Sequence, residues 1–94
     1  MYIVALTSLP QVLDKLAAKH ALSPEEVEQI FQNEPRYLFV QRGTREHENV
    51  YGAYGRTDGG RYLVVFFIHK TDDWALVISA RDMDAAERRR YERK

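Results

Sequence analysis

The segment from Arg61 to Lys70 constrains the fold more than any other part of this 94-residue chain. Its apolar side chains fall on both alternating sides of an extended strand: Tyr62, Val64, Phe66 and Ile68 on one side, and Leu63, Val65 and Phe67 on the other. A strand that is apolar on both sides is covered on both faces, so we expect it at the centre of a sheet. Truncation of Phe66 to alanine is then expected to cost about 3–5 kcal/mol.

The flanking sequence predicts antiparallel neighbours for this strand. Asp58-Gly59-Gly60 precedes it and supplies residues that tolerate positive φ, which favours a hairpin. Residues 36–42, 49–57 and 74–80 have the alternation and composition of further strands. Residues 2–6 are consistent with either a short strand or an extended lead-in. We therefore expect a four-stranded antiparallel meander.

Two short helices are predicted before the sheet. Apolar residues recur at helical spacing from Leu9 to Ala17, where Ser8 can cap the helix and Pro10 is tolerated in its first turn. The segment Ser23-Pro24-Glu25-Glu26 has the cap, the proline and the glutamate of a capping box, so a second helix begins there.

One more helix is predicted after the sheet. Asp82 or Asp84 can cap a polar helix that continues through Tyr91. Its scarce apolar side chains mean that it must pack on the sheet, bind a partner or fray. The chain is therefore predicted to be a single α+β domain over residues 1–94, with two N-terminal helices, the four-stranded antiparallel sheet and a C-terminal helix.

Composition excludes several classes of protein. Without cysteine the chain forms neither disulfides nor thiolate metal sites, and its apolar runs are too short to span a bilayer. We expect a cytoplasmic protein with no membrane association. The three histidines lie on separate predicted elements without ligand spacing, so we expect neither a metal nor another cofactor.

The charge is balanced overall but unevenly distributed. A net charge of zero argues mildly against nucleic acid as a partner. Residues 1–54 carry five basic and seven acidic side chains, a net charge of −2, whereas residues 55–94 carry nine and seven, a net charge of +2. A basic face can therefore coexist with a neutral molecule, although ordinary solvated charge explains the same counts.

Several short motifs occur in an order that is similar to one family. They are a helix-to-helix segment, a glycine-bearing hairpin, a strand end and a helix motif: Lys19 to Val27, Gly55-Arg56-Thr57 with Gly60-Arg61, Ile78-Ser79-Ala80-Arg81, and Glu87-Arg88 with Tyr91. In order and spacing, over residues 13 to 92, they resemble the BrnT-type toxins, which are small RelE-like ribonucleases of bacterial toxin–antitoxin pairs.

The resemblance implies the toxin component of a type II toxin–antitoxin system. Its activity would be metal-independent endoribonuclease activity on an RNA substrate, neutralised by a cognate antitoxin protein, and self-association into a homodimer stays open. At the end of the long strand, Ile68-His69-Lys70 replaces the family's T-x-R, which exchanges a planar guanidinium for a titratable ring and a point charge. The alternative is therefore a catalytically weakened relative that serves as a protein-interaction or regulatory module.

The candidate site residues are those whose chemistry suits RNA cleavage. Histidine or carboxylate groups suit the proton transfers, and arginine or lysine suits the charge of the phosphorane. The predicted catalytic residues are His69, Lys70 and Arg81, and the predicted RNA-binding residues are Lys19, His20, Arg56, Arg61 and Tyr91. We expect five of these to cluster on one side of the sheet: Arg56, Arg61, His69, Lys70 and Arg81.

Each of these candidates also has a structural interpretation. His69 can be a histidine at a strand end that is satisfied by a neighbour, and Arg81 can simply pair with Asp82 or Glu87. The charged residues 46–48 lie in a polar turn where solvated charge is common. Three tyrosines can stack bases, as in an unrelated single-stranded RNA binder, or can be half-buried packing: Tyr51, Tyr54 and Tyr62.

Overall fold

A computed structural model of the chain describes residues 1–45 and 48–93. Its elements, in chain order, are β1 (Ala5–Ser8), α1 (Pro10–His20), α2 (Pro24–Gln32), β2 (Arg36–Gln41), β3 (Val50–Arg56), β4 (Tyr62–His69), β5 (Trp74–Asp82) and α3 (Ala85–Glu92). The three predicted helices and the α+β class are confirmed. The candidates Glu46 and His47 lie outside the described residues.

The helix starts follow local hydrogen bonding. Ser23 Oγ accepts from the Glu26 backbone N–H at 3.2 Å, and Glu26 Oε1 accepts from the Ser23 N–H at 3.1 Å, which completes the predicted capping box of α2. The predicted cap of α1 is wrong. Ser8 is the last residue of β1, and the N-cap residue of α1 is Leu9, which makes no side-chain capping hydrogen bond.

The strands form one five-stranded sheet in the order β1-β5-β4-β3-β2. The strand β4 lies in the middle of this order, which confirms the prediction that residues 61–70 are central. The hairpin between β3 and β4 is also confirmed, with Gly60 at a φ of 92° and its N–H donating to the Thr57 carbonyl at 2.9 Å.

The prediction of a four-stranded, purely antiparallel sheet is wrong. The strand β1 pairs in parallel with β5, with Ala5 opposite Trp74 and Ser8 opposite Val77. This pairing satisfies backbone groups along an edge of β5 that a four-stranded sheet would leave open. A parallel neighbour needs a long crossover, which here comprises all the elements from α1 to β4.

The sheet has one face covered by α1 and α2, which we call the helix face. Core residues of both helices pack there against alternate residues of β3, β4 and β5. Phe67 is fully buried on this face, with its ring 5.3 Å from that of Phe31 in α2. Phe66 points the opposite way and is only half-buried, so the large truncation cost expected at Phe66 belongs to Phe67.

The opposite face, which we call the open face, is covered by α3 at one end only. Strand register divides it into rows of neighbouring side chains. One row, beside α3, contains Arg36, Tyr54, Val64 and Arg81, and the next contains Leu38, Gly52, Phe66 and Ser79. Beyond them lies an apolar row of Val50, Ile68 and Leu76. Leu38 is 50% exposed, and Phe66, Ile68 and Leu76 are half-buried whereas Val50 is buried, so the rows away from α3 are partly accessible.

None of the helices within residues 1–45 and 48–93 is long and apolar enough to cross a membrane.

Candidate functional site

The helix α3 is attached to the open face mainly by polar and cation–π contacts, and it has no buried residue. Asp84 and Glu87 form its capping box, as the sequence predicts. Glu87 also accepts two hydrogen bonds from Arg81, at 2.7 and 3.0 Å. At the other end of the helix, Tyr62 donates to Glu92 at 2.8 Å. These contacts place the charged helix over a sheet face instead of in a core.

A cleft of about 620 Å³ runs between α3 and the first residues of β2. Its lining residues are Arg36, Tyr37, Leu38, Tyr54, Glu87, Arg90, Tyr91 and Arg93. Three arginines and one carboxylate make this lining basic. A second hollow of about 330 Å³ adjoins it at Tyr91, and Arg56 lines that hollow. The two hollows share Tyr91, and in the second one Asp58 balances the charge of Arg56.

Arg36 and Tyr54 form the floor of the cleft, and both belong to the row of residues nearest α3. Arg36 lies directly opposite Tyr54 across β2 and β3, and Tyr54 is followed across the sheet by Val64 and Arg81. With strands spaced roughly 4.8 Å apart, Arg81 lies about 10 Å from Tyr54 at the level of the backbone. Arg36 also donates to the Arg90 carbonyl at 3.2 Å, which connects the floor to α3.

The charges of the cleft are set by close pairing. The hydrogen bonds from Arg81 hold the pKa of the Glu87 carboxyl below its usual range, so Glu87 is ionised at neutral pH. Burial raises the pKa of the Tyr54 phenol, and the Glu87 charge raises it further. The cleft therefore combines permanently charged guanidinium groups with a protonated phenol.

Three of the predicted site residues lie on the open face beside α3. Arg81 lies in the same row as Tyr54, beside the cleft, with its guanidinium 5.4 Å from the centre of the Phe66 ring. Arg56 lies 4.6 Å from the centre of the Tyr62 ring, and Tyr91 packs edge-on against the same ring at 6.0 Å. The structure therefore brings Arg56, Arg81 and Tyr91 to one end of one face.

Three other predicted residues lie on the helix face at the same end of the sheet. Arg61 donates to both Asp82 carboxylate oxygens, at 2.7 and 3.0 Å, and to the His20 carbonyl at 2.8 Å. It also donates to the Ala21 carbonyl at 3.0 Å, and Lys19 is exposed in the last turn of α1. These contacts favour a structural role for Arg61, which ties the end of α1 to β4 and β5.

The remaining two predicted residues, His69 and Lys70, lie at the far end of β4. His69 is five residues from Val64, the partner of Arg81, which corresponds to roughly 17 Å along a strand. It also points to the helix face, where its Nε2 lies 2.9 Å from Asp73 Oδ1. The expectation that five candidates cluster on one side of the sheet is therefore wrong. The candidates lie at both ends of β4 and on both faces of the sheet.

A third hollow, of about 640 Å³, lies between β1 and α2. Its lining is mostly apolar, and Glu28 is its one charged residue. It offers no cation to a phosphate. Among residues 1–45 and 48–93, no group of three or more histidine, cysteine or carboxylate side chains is placed to hold a metal ion.

Sequence reasoning missed all three arginines that line the cleft, namely Arg36, Arg90 and Arg93. It considered Tyr54 either as a base-stacking residue or as half-buried packing. The available signal was the run of basic residues in α3, which cannot be solvated all round if one side of the helix packs on a sheet. The partner of that helix, the row containing Arg36 and Tyr54, becomes visible only with the strand register.

Comparisons with known proteins agree with this architecture. The crystal structure of the Brucella abortus ribonuclease toxin, BrnT, matches with a TM-score of 0.60 and 18% sequence identity, over 86% of this chain and 97% of that chain. At that identity the match shows a shared fold. A comparison with curated proteins finds no sequence match. The model of the family described as the ribonuclease toxin BrnT of type II toxin–antitoxin systems matches residues 13–87. Because that match spans most of the sequence, the chain belongs to the BrnT family of ribonuclease toxins.

Proposed function

We propose that the chain is a metal-independent endoribonuclease that binds and cleaves RNA in the cleft beside α3. The observation that carries this proposal is the cleft lining, to which Arg36, Arg90 and Arg93 contribute together with Tyr54. The proposed location is the cytoplasm, which is consistent with an RNA substrate. Residues 1–94 would act as a single domain.

The arginines suit both binding and catalysis. Guanidinium groups contact phosphate oxygens in a bidentate manner and stay charged at any physiological pH. In a partly enclosed cleft, such charges stabilise the extra negative charge of a phosphorane more strongly than they would in bulk water. The zero net charge of the chain is compatible with this role, because three arginines and one carboxylate line the cleft.

The alternative of a weakened interaction module loses its main support from this geometry. It rested on the zero net charge and on His69 and Lys70, which replace the family's T-x-R at the end of the long strand. Those two residues lie at the far end of β4, and neither lines the cleft beside α3. The exchange therefore leaves the proposed catalytic groups unchanged.

The direct test is RNA cleavage by the purified chain in the presence of EDTA. We expect cleavage to persist in EDTA and to fall about 100-fold in Arg90→Ala, since a charge that stabilises the transition state is removed. Arg89→Ala is the matched control, because Arg89 lies on the same helix but outside the cleft lining. Equal activity of both variants, or dependence of cleavage on added metal, would contradict the proposal.

The proposed protein partners are a cognate antitoxin and, in its absence, a second copy of the chain. The partly accessible rows of the open face lie directly beside the arginine-lined cleft, so one partner segment can cover both. For self-association, the exposed edge strand β2 carries Leu38 and Phe39 at 50% and 59% exposure. Light scattering of the chain alone should give twice the mass of one chain, and a mass of one chain would reject the homodimer.

A further inference from the structure

Tyr54 has a distinctive position within the cleft. It lies in the row of residues nearest α3, directly opposite Arg36, with Val64 between it and Arg81. Within residues 1–45 and 48–93, no hydrogen bond engages its hydroxyl group. Tyr62, which lies in the neighbouring strand β4, is already engaged, because its hydroxyl donates to Glu92 and its ring lies 4.0 Å from the Arg88 guanidinium.

The surroundings of Tyr54 determine which proton transfer it can perform. Its side chain is half-buried, and burial is the largest cause that raises its pKa, followed by the charge of Glu87. The phenol therefore carries its proton throughout the neutral range and can act as an acid rather than as a base. The nearby carboxylate of Glu87 is a weak base, since Arg81 donates two hydrogen bonds to it and lowers its pKa.

We propose that Tyr54 is a catalytic residue that donates its proton to the departing 5′ oxygen of the RNA. Arg36 and Arg81 then contact the phosphate from the two sides of the phenol. The side chain of Arg81 is 39% exposed despite its pairing with Glu87, so its outer edge is available to a phosphate oxygen. This inference rests on the proposed ribonuclease function and assigns a role within the same cleft.

The step balances as an internal transesterification. The 2′ oxygen forms a bond to phosphorus and releases its proton to solvent water, while the bond between phosphorus and the 5′ oxygen breaks. The 5′ oxygen takes the proton of Tyr54, and the tyrosinate recovers a proton from solvent. The products are a 2′,3′-cyclic phosphate and a free 5′ hydroxyl, and no metal or other co-reactant takes part.

The test compares two substrates after the cleavage position in a synthetic RNA has been mapped. The first is the ordinary RNA, and the second carries sulfur in place of the 5′ oxygen at that position. On ordinary RNA, Tyr54→Phe should lower kcat by about 10²–10⁴-fold with little change in KM. On the sulfur substrate it should cleave at nearly the wild-type rate, because a thiolate departs without a proton.

Tyr51→Phe is the matched control, since Tyr51 lies in the same strand but packs on the helix face against Phe67. It should cleave both substrates as the wild type does. An equal loss of Tyr54→Phe activity on both substrates would overturn the inference, because the hydroxyl would then act otherwise than by protonating the departing oxygen. Full activity of the variant on ordinary RNA would also overturn it. If the wild type cleaves neither substrate, the ribonuclease proposal itself fails, which is distinct from either of these outcomes.

Discussion

Phe67→Ala is expected to lower the free energy of unfolding by about 3–5 kcal/mol. The side chain is fully buried at the centre of the sheet, and three aromatic rings pack against it at centroid distances of 5.3 to 6.0 Å: Phe31, Tyr37 and Tyr51. Truncation removes the transfer free energy of the ring and leaves a cavity among rigid neighbours. For a domain with a total stability of about 5–15 kcal/mol, such a loss is severe. Urea unfolding followed by circular dichroism measures it.

Phe66→Ala is the matched control, because it makes the same change one residue earlier in the same strand. Phe66 lies on the open face, is half-buried and contacts the Arg81 guanidinium. We expect a loss below about 2 kcal/mol, since only part of the ring is removed from water. A larger loss at Phe66 than at Phe67 would contradict the assignment of the two faces.

Arg61→Ala should destabilise the fold by about 2–3 kcal/mol without directly weakening RNA binding. The substitution removes the paired hydrogen bonds to Asp82 and leaves the carbonyls of His20 and Ala21 without their donor. Arg61→Lys should recover only part of the loss, because an ammonium group cannot reproduce the planar fork. Urea unfolding gives the stability, and RNA affinity is measured on the folded fraction at low temperature.

Arg56→Ala provides the comparison for this second prediction. Arg56 is exposed, and its guanidinium lies over the Tyr62 ring, so its removal should cost less than about 1 kcal/mol. It lines the hollow beside Tyr91, and its loss should weaken RNA binding. Unchanged stability with reduced RNA affinity in Arg61→Ala would restore Arg61 to the RNA-binding set and refute its structural role.

Much of the fold was predictable because the relevant signals are local. The capping box at Ser23 and Glu26 spans three residues, and the two-sided apolar pattern of β4 needs no knowledge of its neighbours. The parallel pairing of Ala5 with Trp74 could not be predicted, because the partners are far apart in sequence and residues 5–8 are too short to show a period. The same limit explains why both phenylalanines of β4 appeared equally buried. An apolar pattern on both sides of a strand does not say which face of the sheet is more fully covered by helices.

The site was less predictable for a related reason. The pairing of Arg81 with Glu87 spans six residues and was anticipated as an alternative. The contact between Arg36 and Arg90 spans fifty-four residues and depends on the position of β2 at the sheet edge. His69 and Arg81 both lie near the C-terminal end of a strand. Because antiparallel neighbours have their C-terminal ends at opposite ends of the sheet, this position implied that the two residues are far apart.

The weak apolar anchoring of α3 has a consequence for how this domain can diversify. The cleft has a floor on strands of the sheet, Arg36 of β2 and Tyr54 of β3, and a wall, α3, that contributes no residue to the core. At the proposed RNA site, substitutions on the wall can therefore alter the lining while folding proceeds on unchanged strands. A wall that is free of core packing lets the lining diverge without loss of the fold.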